Sequence, residues 1–178
     1  YSRLGWAASI ACIGNYRLGQ NKTAKNIADI TQTGYNDIAQ PPGIQIGFRV
    51  SYKYNDTSAF NVSYTNGVFN PNMIMNHINN SQPIYAYFEG SAGTHGAVIY
   101  GYFSHGNNFY LRVMNPTSTW ETILYNGSST AITSSGNIFY LKSLFVATGL
   151  HRFGSDWWYM NEDGSYKTGW FLSNGSWY

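Results

Sequence analysis

Apolar positions along the chain fall into three successive patterns. The first stretch, Gly5-Trp6-Ala7-Ala8-Ser9-Ile10-Ala11-Cys12-Ile13-Gly14-Asn15-Tyr16-Arg17-Leu18-Gly19, is apolar nearly all round. It predicts a helix running through the core and ending where Gly19 can adopt the left-handed cap conformation. A short helix is expected over residues 24–30, with Thr23 as its N-cap. Residues 31–69 are polar and punctuated by Gly and Pro, and read as loop with at most short strands. Asn70-Pro71 then opens a further helix that carries Ile74, Met75 and Ile78 on one face. From Pro83 onward the pattern changes to runs rich in Tyr, Phe, Val and Ile, at 84–88, 95–103, 109–114, 121–125 and 138–144, separated by Gly, Asn and Ser. Helices first and an antiparallel sheet afterwards define an α+β fold.

Composition narrows the function. At 178 residues the chain can bury one core and a small appendage. Charged residues are only 10% and the net charge is +2, which excludes nucleic-acid binding driven by charge. The apolar runs are too short for a membrane span, and the start of the chain shows no signal-peptide pattern. Cys12 is the single cysteine, so neither an internal disulfide nor a thiolate metal cage can form. Low charge with abundant Asn, Ser, Gly and Tyr suits a secreted bacterial protein.

The tail is internally repetitive. Gly149 and Gly169 are twenty residues apart, as are Trp157 and Trp177. This reads as one full and one truncated copy of a β-hairpin whose turn carries Gly. A lone hairpin is marginal in water, so the copies need to stack on one another or on the main domain.

One pair of residues could carry chemistry. His95 and Asn115 flank a hairpin whose turn is Ser104-His105-Gly106-Asn107-Asn108, with residue 105 midway between them. Symmetric pairing predicts that they are cross-strand neighbours with Cβ atoms roughly 4.5–5.5 Å apart. Pro116 biases Asn115 toward extended backbone. An amide facing an imidazole fixes the histidine tautomer, as catalysis requires. The plain alternative is a strand-end Asn beside a His that happens to face it.

Gly5-Trp6-Ala7-Ala8-Ser9 resembles the Cys-Trp-Ala-(Ala/Phe)-Ser run of papain-like cysteine peptidases. Thr94-His95-Gly96-Ala97-Val98-Ile99-Tyr100-Gly101-Tyr102 is similar to that family's His-Ala-Val-x-x-x-Gly-Tyr strand, and Val113-Met114-Asn115-Pro116 to its Asn/Asp-Pro strand end. The order matches, over roughly residues 1–146, and the likeness is to the bacterial, short-loop type. The resemblance implies a papain-like fold in which a thiolate attacks a peptide carbonyl. His95 would carry the proton to the leaving amine, Asn115 would orient the ring, and the backbone N–H of the nucleophile would hold the oxyanion. No cofactor or metal is implied, and the substrate class is a peptide or protein.

Gly5 occupies the nucleophile position, whether by deliberate replacement or by natural loss, and offers no thiol. The family's upstream oxyanion-hole Gln would precede Tyr1. Cys12 cannot substitute, because seven residues along a helix is roughly 10 Å of rise. It reads as a core residue, and Ser9 as packed with its hydroxyl bonded back to a helical carbonyl. Pocket walls are expected from residues 31–69 and the loop 89–94. His77, His105 and His151 read as isolated surface histidines.

The segment 156–178, with Thr168-Gly169-Trp170 and Gly175-Ser176-Trp177-Tyr178, closely resembles the choline-binding, or cell-wall-binding, repeats of Gram-positive surface proteins. That likeness implies a cage of ring faces for the quaternary ammonium of choline-decorated teichoic acid. Trp157, Trp170 and Trp177 are its candidate walls, with Tyr178 in support. The same aromatics could instead only stack hairpin on hairpin. The expected arrangement is a peptidase domain over 1–146 and the start of a repeat array over 147–178, secreted and wall-associated. The alternative is a non-catalytic surface protein, binding choline or teichoic acid, built on a degenerate peptidase fold.

Overall fold

The computed structural model describes residues 4–31, 40–54, 57–58, 60–67, 69–116, 120–127, 130–134, 136–153, 156–173 and 175–178. Helix α1 (Gly5–Leu18) buries Trp6, Ala7, Ile10, Ala11, Ile13 and Gly14, as its apolar circumference requires. It ends at Gly19 (φ 62°), whose N–H donates to the Asn15 carbonyl at 2.8 Å. Helix α2 (Ala24–Thr31) begins with a reciprocal cap: Thr23 Oγ1 accepts from the Asn26 N–H at 3.1 Å, and Asn26 Oδ1 accepts from the Thr23 N–H at 2.8 Å.

The first correction falls in the stretch read as loop. Helix α3 (Pro41–Ser51) occupies part of it, with Pro in its first turn and Ile44 and Phe48 fully buried. Gly43 and Gly47 lower its intrinsic propensity, which hid it in the sequence. Gly47 also serves packing, since a Cβ there would lie 2.8 Å from Ile10 Cδ1. Burial against α1 therefore outweighs weak local preference. The strands β1 (Lys53–Tyr54), β2 (Thr57–Ser58) and β3 (Val62–Asn66) follow.

Helix α4 (Pro71–Asn79) starts as expected, with Asn70 Oδ1 accepting from the Asn72 N–H at 2.9 Å. Its buried face is Ile74 and His77, with Met73 and Ile78 packed alongside. Met75, expected on that face, is only half-buried.

The main sheet contains β4 (Ile84–Gly90), β5 (Gly93–His105), β6 (Asn108–Met114), β7 (Trp120–Tyr125), β8 (Ala131–Ser134) and β9 (Asn137–Ala147). It is antiparallel, in the order β3-β9-β4-β5-β6-β7, with β8 also paired to β9. Strand β8 was not anticipated; its four residues lie between Ser- and Gly-rich flanks that read as punctuation. Alternation divides the apolar side chains into two cores. Tyr85, Tyr87 and Val98 face α1 and α3, whereas Ile84, Ala86, Phe88, Ala97 and Ile99 face inward with residues of β6 to β9.

The β5–β6 hairpin departs from symmetric pairing. Its turn is Gly106-Asn107, with Gly106 left-handed (φ 59°) and His105 opposite Asn108. An irregularity between Ile99 and Gly101 moves the register back by one residue, too little to restore the expected pairing, and the ladder ends at Val98↔Met114. His95 and Asn115 are therefore not directly opposed; His95 pairs with Phe88 on β4.

After β9 come two hairpins, β10 (Gly149–Phe153) with β11 (Asp156–Met160), and β12 (Leu172–Ser173) with β13 (Ser176–Trp177). The period of twenty recurs in the backbone, since Gly149 (φ 72°) and Gly169 (φ 74°) share the left-handed conformation. Among the described residues, no helix is long and apolar enough to cross a membrane.

The α1 packing yields a stability prediction. A Cβ on Gly14 would lie 2.0 Å from the ring of the fully buried Tyr52, whose hydroxyl donates to Asn15 Oδ1 at 3.0 Å. Gly14→Ala gains about 1 kcal/mol of helix propensity. Overpacking costs about 1–3 kcal/mol, at the upper end where a buried ring must move. Urea denaturation should therefore show a net loss of about 1–2 kcal/mol.

Candidate functional site

His95 stands near the start of β5, on the sheet face that carries Phe88 and Ala97. Its ring centroid lies 5.6 Å from that of Phe139. Continuing the ladder by one residue puts Asn115 opposite Ala97, on the same face as His95 and diagonal to it. Diagonal neighbours are about 7–8 Å apart, within reach of longer side chains. The fully buried Asn115 amide does act on the ring. Burial lowers the proton affinity of His95, and the Asn115 side chain opposes this by favouring the charged form.

Among the described residues, Nε2 of His95 is buried with no hydrogen-bond partner. The Asn115 amide nitrogen donates to Ser134 Oγ, on β8, at 3.2 Å.

The first turn of α1 is level with the strand position of His95, on the sheet face opposite the one that carries the His95 ring. A Cβ on Gly96 would lie 3.1 Å from the Trp6 Cα and 2.2 Å from the Tyr85 hydroxyl, so the glycine lets helix and strand backbones touch. Further along, Cys12 and Ile13 meet Val98, Tyr100 and Met114 around a cavity of about 340 Å³. The helix therefore runs parallel to the strand, with Gly5 at the His95 end and Cys12 two turns away. Cys12 Sγ approaches Met114 Sδ at 4.0 Å, and burial pushes its thiol pKa up, the reverse of an activated nucleophile. Ser9 is fully buried and its hydroxyl donates to the Gly5 carbonyl at 3.0 Å.

A polar group that sequence reasoning missed lies on the helix-facing side. Tyr87 donates to Gln40 Oε1 at 3.1 Å, and its hydroxyl pKa is pushed up to about 12 by burial and then by Glu89. Glu89 pairs across the strands with Thr94, the residue before His95. Pro41, Tyr87, Glu89, Lys142 and Ser143 border a cavity of about 520 Å³ that also reaches Asn66 and Gly67. Residues 31–69 and 89–94 contribute Pro41, Asn66, Gly67 and Glu89 to the border of this cavity.

The tail aromatics are only partly assembled. Tyr178 stacks on Phe171 at 5.8 Å, and Phe171 meets Tyr159 edge-on at 5.3 Å. The ammonium of Lys167 lies 4.7 Å from the Tyr159 ring centroid. Trp170 and Trp177 are 81% and 66% exposed, and Trp157 is half-buried. Phe171 and Tyr159, which the repeat spacing did not single out, are the rings that Tyr178 joins.

His77 corrects another expectation, because it is fully buried rather than on the surface. The loop after β11 folds back over α4. Asn76 Nδ2 donates to the Asp163 carbonyl at 3.0 Å, Asn80 Nδ2 to the Gly164 carbonyl at 2.5 Å, and Gln82 Nε2 to the Tyr166 hydroxyl at 2.6 Å. His77 Nε2 lies 3.4 Å from the Glu162 carbonyl. Burial lowers the His77 pKa; the Glu162 carbonyl and Asp163 oppose that shift, and Arg17 adds to it. His105 is exposed, while the His151 side chain lies outside the described residues. Among the described residues, no three His, Cys, Asp or Glu side chains converge on a metal-holding group.

No family model matches the chain, and no curated protein matches it.

The two buried imidazoles set a pH dependence. Each binds a proton less readily folded than unfolded, so its contribution to stability is complete above the unfolded pKa of about 6.5 and drains away as pH falls below it. The urea midpoint should decline from pH 6.5 to pH 5, and His77→Gln should make that decline shallower.

Proposed function

We propose that residues 1–146 form a papain-like cysteine peptidase domain whose nucleophile position is held by Gly5, and that residues 147–178 begin a wall-binding repeat array. The observation that carries this reading is the contact of Gly96 with the Trp6 backbone, which sets the head of α1 beside the strand of His95. A thiol at position 5 would sit at a helix N-terminus, where unpaired N–H groups and the helix dipole favour the thiolate. His95 would hold the proton and return it to the leaving amine, with Asn115 setting the ring. The oxyanion would form against the backbone N–H of residue 5. As the chain stands, Gly5 leaves the first step without a nucleophile, and the domain performs no thiol-dependent hydrolysis.

The exposed Trp170 and Trp177 support the second half of the proposal, a secreted protein held at the wall through choline or teichoic acid. Gly5 itself favours a second reading, in which the degenerate peptidase fold presents the repeats and catalyses nothing.

Gly5→Cys in a Cys12→Ala background tests the site. Iodoacetamide should alkylate residue 5 at pH 6 at least about tenfold faster than a free thiol of pKa about 8.5, and His95→Ala should remove the advantage. A folded variant with an ordinary thiol would leave the non-catalytic reading. For the tail, titration with choline should quench tryptophan fluorescence saturably, and Trp170→Ala should weaken the effect. An unchanged spectrum at saturating choline would reduce residues 147–178 to a spacer.

A further inference from the structure

We infer that residues 161–166 form an acid-released latch: they close over α4 while His77 is neutral and let go when its imidazole takes up a proton. The latch is independent of what stands at position 5 and of what the exposed tryptophans bind.

Polar bonds fasten the segment. Asn76 Nδ2 donates to the Asp163 carbonyl at 3.0 Å and Asn80 Nδ2 to the Gly164 carbonyl at 2.5 Å. Gln82 Nε2 donates to the Tyr166 hydroxyl at 2.6 Å, and that hydroxyl donates to the Asn80 carbonyl at 3.1 Å. Water can replace each of these partners once the segment lifts, so the net worth of every bond is modest. Closure is therefore within reach of one titrating group.

Contact is closest at Gly164. Its left-handed backbone (φ 87°) and missing side chain bring it against His77, where a Cβ would lie 2.7 Å from the backbone nitrogen and 2.9 Å from ring Cδ2. Under this cover His77 is fully buried, and among the described residues its Nδ1 has no hydrogen-bond partner. Nε2 faces the Glu162 carbonyl at the long distance of 3.4 Å. A neutral ring tolerates such a setting. A protonated ring donates at both nitrogens and must also give up its hydration.

The charges that face the ring do not compensate. Arg17 of α1 is buried and repels a second cation, whereas Asp163 attracts one. The Asp163 side chain is exposed, however, and accepts from the Ser165 N–H at 2.9 Å and the Ser165 hydroxyl at 2.6 Å. Glu162 acts on the ring through its carbonyl, its side chain being exposed. Helix α4 holds no other charged residue, and from β5 the Tyr102 hydroxyl donates to Asn79 Oδ1 at 2.8 Å. Burial is the largest influence, and it lowers the proton affinity of His77. A ring that binds protons more weakly closed than open supports closure fully above the open-state pKa of about 6.5 and loses that support below it. Each pH unit below this value weakens closure by up to about tenfold.

Hydrogen exchange and imidazole NMR on the intact chain test the latch. Closure protects the Asn80 side-chain amide; the Asn15 amide, which donates to the Lys22 carbonyl at 2.7 Å, serves as reference away from the tail. From pH 7 to pH 5 the protection of Asn80 relative to Asn15 should fall severalfold, with about 25-fold as the ceiling. His77→Gln, which has no ionisable group, should abolish this fall. Gly164→Ala, whose Cβ has no room beside His77, should leave the Asn80 amide unprotected at every pH and raise the His77 midpoint to about 6.5.

Relative protection that is equal at pH 7 and pH 5, or that falls equally in His77→Gln, would overturn the latch. So would a His77 midpoint that stays low in Gly164→Ala. That substitution lies on the tail, outside both cores, and reads the same linkage if His77→Gln does not fold.

Discussion

The candidate site depends on one close approach between two backbones. Gly96 has no side chain, and the space that a Cβ would need is filled by the Trp6 Cα and the Tyr85 hydroxyl. That notch allows α1 to lie flat along β5, its first turn level with the strand position of His95 but on the sheet face opposite the one that carries the ring. Leu4, at the N-cap of α1, makes no side-chain bond to the helix. The strand in turn holds His95 at the end of the inner core, where Phe88 and Phe139 shield one side of the ring and Asn115 approaches it. Elements far apart in sequence are thereby made to meet by packing rather than by any strong polar bond.

Much of this was legible beforehand, and the misses have physical causes. Continuous apolar character revealed α1, and Gly19 marked its end. The Asn70-Pro71 pair marked the head of α4, and β-rich runs marked five strands of the sheet. Helix α3 was hidden because its glycines are poor helix formers, and one of them, Gly47, admits Ile10. The His95–Asn115 relation was foreseen, but its register was not. The turn is centred between Gly106 and Asn107 rather than on residue 105, and the irregularity between Ile99 and Gly101 reverses only part of that offset. The resulting diagonal geometry still allows the amide to act on the ring. That Ser134 accepts from the Asn115 amide nitrogen was not legible, because a serine in a Ser/Gly-rich stretch carries no periodic signal.

The tail shows what repeat spacing can and cannot convey. It marked the paired glycines and both hairpins, yet it gave no sign that the loop between them would settle on α4. That docking encloses His77 and depends on Gly164, whose left-handed backbone (φ 87°) and missing side chain let the loop touch the His77 backbone. Met160 is buried in the same region. The segment after β11 is therefore anchored to α4 and its end through specific hydrogen bonds, while Trp170 and Trp177 are left turned to solvent.

The proposed peptidase reading requires position 5 and the His95 imidazole to act as one electrostatic unit. The ultraviolet absorbance of the thiolate in Gly5→Cys, with Cys12 replaced by alanine and followed across pH, reads that coupling most directly. The account predicts a thiolate signal that persists well below the free-cysteine pKa of about 8.5 and disappears in the additional His95→Ala variant. A thiol that titrates near 8.5 with or without His95 would contradict it.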